Sequence, residues 1–273
     1  MEVKYIEYTI KNDIIFKFLF SDEEILKNFL EAVLDEEITE IEVTNEFSLD
    51  KIKYEDKVGV LDVKAKVNKK EIIDLEMQRK HQNYYIQRIL LYTGKIEASQ
   101  LKTAEKYSEV KQVISINILD FEMFPDIQQM HTVWNLREEN NKDNVLPGLE
   151  YHFFELPKFR KSNPDLALKI NQWLALIDTE NKEWVEVAMK NNDNVKKAIN
   201  KVDDFVADDE TRILIELREK WQRDYYNSIE DAKDEGRFNE KKIIAKRLLS
   251  KKYNINEIIE VTGLSEKEIK ELQ

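Results

Sequence analysis

The chain has 273 residues, of which 36% are charged and 42% hydrophobic, with a net charge of −12 and no cysteine. This composition predicts one or two folded, helix-rich domains rather than a disordered chain. The absence of cysteine excludes disulfides, thiolate metal sites and a thiol nucleophile. The acidic balance argues against a protein that coats nucleic acid through bulk charge.

No apolar run approaches the ~18 residues of a membrane span, and the first residues lack a signal-peptide core. We therefore expect a cytoplasmic protein that contacts no membrane. Binding to nucleic acid would need a local basic patch. Two lysine-rich runs, at residues 51–70 and 241–252, offer such patches, although a solvated surface is the simpler interpretation of each.

The first predicted helix begins near residue 12, where Asn12 or Asp13 can act as the N-cap. Apolar residues then recur at helical spacing up to Val33, which predicts a buried helical face. Lys17 in this helix could reach a functional site, although a surface position is the simpler interpretation. Residues 38–49 follow as the first predicted strand.

Residues 59–78 predict an antiparallel hairpin. Apolar residues alternate with polar ones at 61–67 and again at 73–77, as expected of half-buried strands. The polar residues 68–70 between them predict the connecting loop.

This hairpin brings two carboxylates together. If Val67 faces Glu71, counting back along both strands places Asp62 opposite Glu76, with Gln78 on the same face. Cβ atoms of such a pair lie roughly 4.5–5.5 Å apart, and like charges at that distance repel. The pair therefore needs a protonated partner or a bound cation. Mg²⁺, which prefers carboxylate oxygens, is the simplest choice.

Helical spacing continues through residues 81–106, and the apolar run at 110–120 predicts a central strand. Two alternating stretches, 131–137 and 150–156, are predicted to extend the sheet on either side of a loop at 140–148. The order of one helical region, three strands, a helix and a strand indicates a mixed α/β domain.

The remainder is predicted to be helical from Pro164, with Asn163 as its cap. Residues 227–239 are predicted to form a linker or an exposed helix. Large apolar residues at helical spacing predict packing positions at Trp173, Leu174, Leu176, Ile177, Trp184, Val185, Val187, Ile213, Leu214, Leu217 and Trp221.

The tail predicts three short helices. The first spans residues 243–249, the second is capped by Asn256 and closed by Gly263, and the third opens with a capping box of Ser265 and Glu268. The arrangement is similar to a helix-turn-helix and favours DNA binding. Glutamates in the last helix favour instead a small dimerisation or docking unit.

Asp62 followed by Glu76-x-Gln78 resembles the PD-(D/E)XK nuclease signature, with Gln in place of the usual Lys. Further segments are similar to the recombination-promoting nuclease (Rpn) family of this superfamily over most of residues 10–160. They are Lys11-Asn12-Asp13-Ile14-Ile15-Phe16-Lys17-Phe18-Leu19-Phe20, the single residues Arg88, Tyr92, Gln100 and Tyr107, Ile116-Asn117-Ile118-Leu119-Asp120-Phe121, and Glu155-Leu156-Pro157-Lys158.

The resemblance implies an α/β fold with a PD-(D/E)XK nuclease-like mixed sheet flanked by helices, followed by an α-helical C-terminal region. We accordingly expect a nuclease-like domain at residues 1–160, a helical arm or bundle at 161–239 and a small helix-turn-helix-like tail at 240–273.

The resemblance also implies a Mg²⁺-dependent endonuclease that hydrolyses phosphodiester bonds in double-stranded DNA and is associated with recombination or mobile elements. Mn²⁺ or Ca²⁺ are alternative ions, a homodimer is one expected assembly, and no nucleotide cofactor is expected. The expected catalytic residues are Asp62, Glu76 and Gln78, the metal ligands Asp62, Glu76 and the Met77 carbonyl, and the DNA contacts Lys17, Lys64, Lys80 and Arg88.

The alternative function is a catalytically degenerate nuclease-fold protein that regulates by binding DNA or protein through its helical arm and tail. The acidic net charge and Gln78 motivate it, because Gln cannot act as a base. Asp74, on the same face as Glu76, is interpreted as a spectator.

Overall fold

The computed structural model of the protein describes residues 9–44, 63–101 and 106–272. The strands are β1 (Ile41–Val43), β2 (Val63–Val67), β3 (Glu71–Gln78), β4 (Gln112–Leu119), β5 (His131–Arg137) and β6 (Val145–Glu155). The helices are α1 (Asp13–Phe20), α2 (Glu23–Leu34), α3 (Tyr85–Ala98), α4 (Leu156–Lys161), α5 (Lys169–Asp178), α6 (Lys182–Asn191), α7 (Asp193–Val206), α8 (Asp209–Ser250), α9 (Ile255–Thr262) and α10 (Glu266–Lys270). The chain forms two compact units, residues 1–215 and 216–273, and their boundary falls inside α8.

The described strands form one mixed sheet in the order β1-β2-β3-β4-β6-β5. β4 is central and pairs in parallel with both β3 and β6, whereas the other neighbouring strands are antiparallel. The predicted central strand at 110–120 is thus present, and the predicted mixed sheet with flanking helices is confirmed.

The β2–β3 hairpin has the predicted loop and register. Val67 pairs with Glu71, and the pairing continues to Val63 opposite Leu75. Asn68 takes a left-handed backbone (φ 48°), which this residue type tolerates better than most. Asp62 lies outside the described residues, so its pairing with Glu76 stays a prediction.

The two faces of β3 are chemically different because side chains alternate along a strand. Ile73 and Leu75 belong to the main apolar core, together with residues of α1, α2 and α5. Asp74, Glu76 and Gln78 lie on the opposite face. The helix α3 packs on that face, through a second apolar cluster of Tyr85, Ile89, Leu119, Tyr151 and Phe153.

Asn12 caps α1, since its Oδ1 accepts hydrogen bonds from the backbone N–H groups of Ile14 and Ile15. The helix predicted at 81–106 is shorter than expected. It begins only after Tyr84, whose left-handed backbone (φ 63°) cannot belong to an α-helix, and it ends at Ala98. Of the strand predicted at 38–49, the described part contains β1 alone.

β5 spans the predicted residues, but β6 begins earlier than predicted, at Val145. Residues 145–148, predicted as loop, belong to β6, and Val145 and Leu146 pair with the end of β5 after a register shift between Asn135 and Leu136. Gly148 has φ 142°, a conformation that residues with a Cβ rarely adopt. Because the backbone is irregular here, the sequence does not show the alternation of apolar and polar residues that predicts a strand.

The helix predicted to start at Pro164 was placed wrongly. Asn163 adopts a left-handed backbone (φ 47°), and α5 begins at Lys169. Of the predicted packing positions, Trp173, Leu174, Leu176, Ile177 and Val185 are buried, Trp184 and Leu214 are partly buried, and Val187, Ile213, Leu217 and Trp221 are exposed. Near the start of α8 the buried side chains are instead Thr211 and Ile215, so the predicted inward face was displaced there.

Residues 227–239 form an exposed stretch of α8, which agrees with the helix alternative. Residues 243–249 are the end of the same helix, so the predicted separate first tail helix was wrong. Asn254, not Asn256, caps α9 in a capping box with Glu257, and Gly263 (φ 66°) ends it. The capping box of Ser265 and Glu268 opens α10 as predicted.

The tail has its own small apolar core, which contains Ala245, Ile258, Leu264 and Ile269. None of the helices in the described part of the chain combines the length and hydropathy needed to cross a membrane.

Candidate active site

β3 carries a row of buried polar side chains on the face that α3 covers. Asp74, Glu76 and Gln78 are 7%, 8% and 6% exposed. In the parallel pairing with β4, Asp74 lies beside Ser115 and Glu76 beside Asn117, which are also buried. Burying polar groups is unfavourable unless partners satisfy them, so the contacts of this row define what the site can do.

Arg88, on α3, joins two members of the row. Its Nη2 donates to Glu76 Oε1 at 2.5 Å and to Gln78 Oε1 at 3.1 Å. Its Nη1 donates to Gln82 Oε1 at 2.7 Å. Such charge-assisted hydrogen bonds are stronger than neutral ones, so one guanidinium holds the Glu-x-Gln pair together.

The amide of Gln78 is fixed at both ends. Its Oε1 accepts from Arg88, and its Nε2 donates to the backbone carbonyl of Lys80 at 3.1 Å. The amide orientation is therefore set by the backbone just after β3 and by α3.

Next to this row, on β4 and α3, lies a set of hydrogen bonds that the sequence analysis did not predict. Tyr85 Oη donates to Asn117 Oδ1 at 3.1 Å, and Asn117 Nδ2 donates to Ser115 Oγ at 3.1 Å and to the His152 carbonyl at 3.2 Å. The Arg88 guanidinium also lies 5.0 Å from the centre of the Tyr85 ring, within cation–π range. A polar Asn inside an otherwise apolar strand was the sequence signal for these hydrogen bonds.

Asp74 differs from its neighbours. Its Oδ1 is buried and has no hydrogen-bond partner among the described residues. Burial raises the pKa of Asp74, while the positive charge of Lys64 opposes that rise. Lys64 is the cross-strand partner of Asp74 on β2.

The other predicted site residues are distributed over both faces of the sheet. The Met77 side chain packs against the main core, so only its backbone carbonyl is a candidate ligand. Lys17 belongs to α1, which packs on the core face of β3, opposite Glu76. The roles of Lys17, Lys64 and Lys80 in DNA binding stay predictions.

A second group of acids lies among the elements after β4. Asp120, Asp178 and Glu180 bring carboxylate oxygens within 4.8 Å of one another, a donor set that suits a hard divalent ion. Two cations already meet these oxygens. Lys11 Nζ lies 3.0 Å from Asp120 and from Glu180, and Arg160 Nη1 lies 2.6 Å from Asp178. Burial lowers the pKa of Lys11, but these carboxylates outweigh it and raise the value. We interpret the group as an ion-pair network.

The Glu155-Leu156-Pro157-Lys158 segment has a clear structural role. Glu155 Oε1 accepts hydrogen bonds from the backbone N–H groups of Met123 and Phe124, and its Oε2 lies 2.5 Å from Lys158 Nζ. Lys158 Nζ also donates to the Phe124 carbonyl at 2.7 Å. This buried pair fastens the loop after β4 to the junction of β6 and α4.

The described part of the β3 row fits a divalent cation. Glu76 and Asp74 supply carboxylate oxygens, the ligand type that Mg²⁺ and Ca²⁺ prefer. The buried Asp74 oxygen without a partner is an acceptor that such an ion would satisfy.

The mixed sheet, the Glu-x-Gln pair on its third strand and the helix that covers it define an α/β fold of the PD-(D/E)XK nuclease type. The chain matches the family model described as PD-(D/E)XK nuclease family transposase over residues 10–232, and it belongs to this family. The resemblance inferred from the sequence is thereby confirmed. Nucleases of this class use divalent metal ions, and the family is linked to mobile elements. Searches of curated proteins and of solved structures gave no match.

Proposed function

We propose that this protein is a metal-dependent endonuclease that hydrolyses phosphodiester bonds in double-stranded DNA. The contact of Arg88 with both Glu76 and Gln78 carries the proposal, because it gathers the Glu-x-Gln pair of the nuclease signature into one buried polar cluster. Membership of the nuclease family supports it across residues 10–232.

Asp62, Glu76 and the Met77 carbonyl would hold the ion, with Mg²⁺ as the first choice and Mn²⁺ or Ca²⁺ as alternatives. When bound, such an ion neutralises charge on the scissile phosphate and lowers the pKa of the attacking water.

Gln78 would orient the attacking water by hydrogen bonding. An amide has one acceptor oxygen and two N–H donors but takes up no proton at neutral pH. The fixed amide of Gln78 is therefore suited to positioning, and the proton must pass to solvent or to the phosphate. This predicts slower hydrolysis than in nucleases with Lys at the same position.

Arg88 is the best placed of the four proposed DNA contacts. Its planar guanidinium suits a phosphate as well as a carboxylate, and its side chain is 24% exposed. Lys64 and Lys80 flank the same row on β2 and just after β3. Together they would supply the local positive charge that a protein of net charge −12 needs to approach DNA.

Plasmid cleavage with Mg²⁺, Mn²⁺ and Ca²⁺ tests the proposal. We expect Asp62→Ala and Glu76→Ala to lower the nicking rate by about 100-fold or more. Glu71→Gln is the matched control, since Glu71 lies on the same strand but, by alternation, on the other face. Equal nicking by the wild type and both alanine variants would refute an endonuclease at this site.

The second candidate function is a regulator with a vestigial nuclease site. The observation that favours it is Gln78 in place of Lys, together with a tail that has its own apolar core. Melting temperatures separate the two functions. An active site predicts that Mg²⁺ or Mn²⁺ raises the melting temperature of the wild type more than that of Glu76→Ala, whereas a vestigial site predicts equal shifts.

A further inference from the structure

The side chains of the polar row on β3 differ in their hydrogen-bond partners. Arg88 contacts the end of the row formed by Glu76 and Gln78, and the Lys80 carbonyl also meets Gln78. At the other end, Asp74 keeps a buried Oδ1 without a hydrogen-bond partner in the described part of the chain. Its neighbour on β4, Ser115, uses its hydroxyl oxygen to accept from Asn117.

An unpaired buried carboxylate oxygen is unfavourable, and a bound cation is a partner that would satisfy it. Asp74 and Glu76 are alternate residues of one strand, so they lie on one face with Cα atoms roughly 6.6 Å apart. Carboxylates at that spacing can converge on one ion, because each ligand oxygen lies only about 2.0–2.6 Å from the metal.

We propose that Asp74 is a further acidic ligand of the divalent cation at the Glu76 site, so that Asp74 and Glu76 hold the ion together. This inference rests on the proposed function, because it assumes that the Glu76 site holds a metal ion. It revises the interpretation of Asp74 as a spectator.

A carboxylate ligand in addition to Glu76 has two consequences. It strengthens binding, since affinity for hard cations rises with the number of charged ligands. It also explains why the sheet tolerates a nearly buried acid beside Glu76: in the metal-bound protein the ion supplies the missing partner.

Glu71 provides a matched control. It lies on β3 like Asp74, and its Oε2 is likewise buried without a partner among the described residues. Alternation puts it on the other face of the strand. Glu71→Gln therefore makes the same carboxylate-to-amide change outside the site.

Mn²⁺ binding, measured by titration calorimetry and by electron paramagnetic resonance of free Mn²⁺, tests the proposal without any cleavage assay. We expect Asp74→Asn and Glu76→Gln each to weaken Mn²⁺ binding at least about 10-fold. We expect Asp74→Glu to retain binding within a few-fold and Glu71→Gln to bind as the wild type does.

Thermal melting gives a second readout. Asp74→Asn removes a buried carboxylate whose Oδ1 has no hydrogen-bond partner among the described residues, although Lys64 attracts its charge. Without metal the variant should therefore melt near the wild-type temperature, and Mn²⁺ should stabilise it less than the wild type. An equal rise in melting temperature with Mn²⁺ in the wild type and in Asp74→Asn would overturn the proposal, because it would show that Asp74 does not contribute to binding the ion.

The outcomes separate this inference from the function on which it rests. Wild-type Mn²⁺ affinity in Asp74→Asn overturns the ligand role of Asp74, and loss of binding in Glu76→Gln then leaves the endonuclease proposal intact. Wild-type affinity in Glu76→Gln overturns the metal site itself. If Asp74→Asn weakens Mn²⁺ binding and Glu76→Gln does not, Asp74 and Glu76 do not bind the same ion, and the proposal is refuted.

Discussion

Arg88 Nη2 lies 2.5 Å from Glu76 Oε1, so a guanidinium contacts the carboxylate that the sequence predicts as a metal ligand. The same nitrogen donates a hydrogen bond to Gln78 Oε1, and Nη1 of Arg88 donates one to Gln82 Oε1. Arg88 thus determines how two proposed catalytic side chains are held relative to each other before any substrate arrives.

The first prediction concerns this bridge. Arg88→Ala should lower the nicking rate by about 100-fold, because Glu76 and Gln78 lose their common donor. It should also lower the free energy of unfolding by about 1–3 kcal/mol, since two buried acceptors lose a partner. Nicking assays and urea unfolding measure the two effects. Lys95→Ala, which removes an exposed cation of the same helix, should change neither, and an Arg88→Ala protein with wild-type activity would refute the bridge.

The second prediction concerns the Gln in the signature. Gln78→Lys restores the usual signature residue but places an ammonium beside the Arg88 guanidinium, 3.1 Å from the present amide oxygen. Like charges at that distance repel, so the melting temperature of Gln78→Lys should fall. Combining it with Arg88→Ala should restore part of the loss, which a double-mutant cycle would detect. Additive effects in the cycle would mean that the two positions are not coupled.

The third prediction concerns the buried ion pair of Glu155 and Lys158. Lys158→Met should destabilise the protein by about 3–5 kcal/mol in urea unfolding, because it leaves the Glu155 carboxylate buried without its counter-charge. Replacing both residues by apolar ones should cost less than Lys158→Met alone. Lys161, on the same helix as Lys158, forms an exposed ion pair with Glu122, and Lys161→Met should have little effect on stability. An equal loss of stability in Lys161→Met would contradict a special role of the buried pair.

The fourth prediction concerns pH. Burial and the nearby charge of His152 lower the pKa of His131 from 6.5 to about 4. His152 contacts His131 through Nδ1 and Glu150 through Nε2. Because the folded pKa is below the unfolded one, the unfolded chain binds more protons between pH 6.5 and 4. This contribution to stability is therefore present above pH 6.5 and is lost as the pH falls to about 4.

The loss should be on the order of 2 kcal/mol once the partial exposure of His131 to solvent is allowed for. Urea unfolding of the wild type and of His131→Gln at pH 7 and at pH 4.5 measures it. The variant should lose less stability over this range than the wild type. Equal losses would assign the acid sensitivity to other groups.

The sequence predicted the hairpin because a period of two is visible whenever one strand face is apolar, as in Val63, Ala65 and Val67. It also predicted the Glu-x-Gln pair, since Glu76 and Gln78 are close along one strand. It did not predict that Arg88 would bridge them, because a helix ten residues away must first pack on the sheet. The Tyr85–Asn117 contact was hidden for the same reason: each partner is informative only in three dimensions.

Errors elsewhere have similar causes. Asn254 and Asn256 are both suitable helix caps, and only the formed capping box distinguishes them. The stretch of α8 with Leu217 and Trp221 has large apolar residues at helical spacing, and yet these side chains are exposed. Periodicity shows which residues share a helix face, but it does not show whether that face meets a partner.

Lys11, which lies just before α1, pairs with Asp178 and Glu180 about 170 residues later in the chain. Asp120 and Arg160 complete this ion-pair network. During synthesis, Lys11 therefore leaves the ribosome well before Asp178 and Glu180, two of its three carboxylate partners, exist. We expect a fragment ending at residue 160 to aggregate or remain unfolded, and a fragment ending at residue 215 to melt cooperatively. The nuclease sheet would then acquire its stability only when the following helical bundle has been translated.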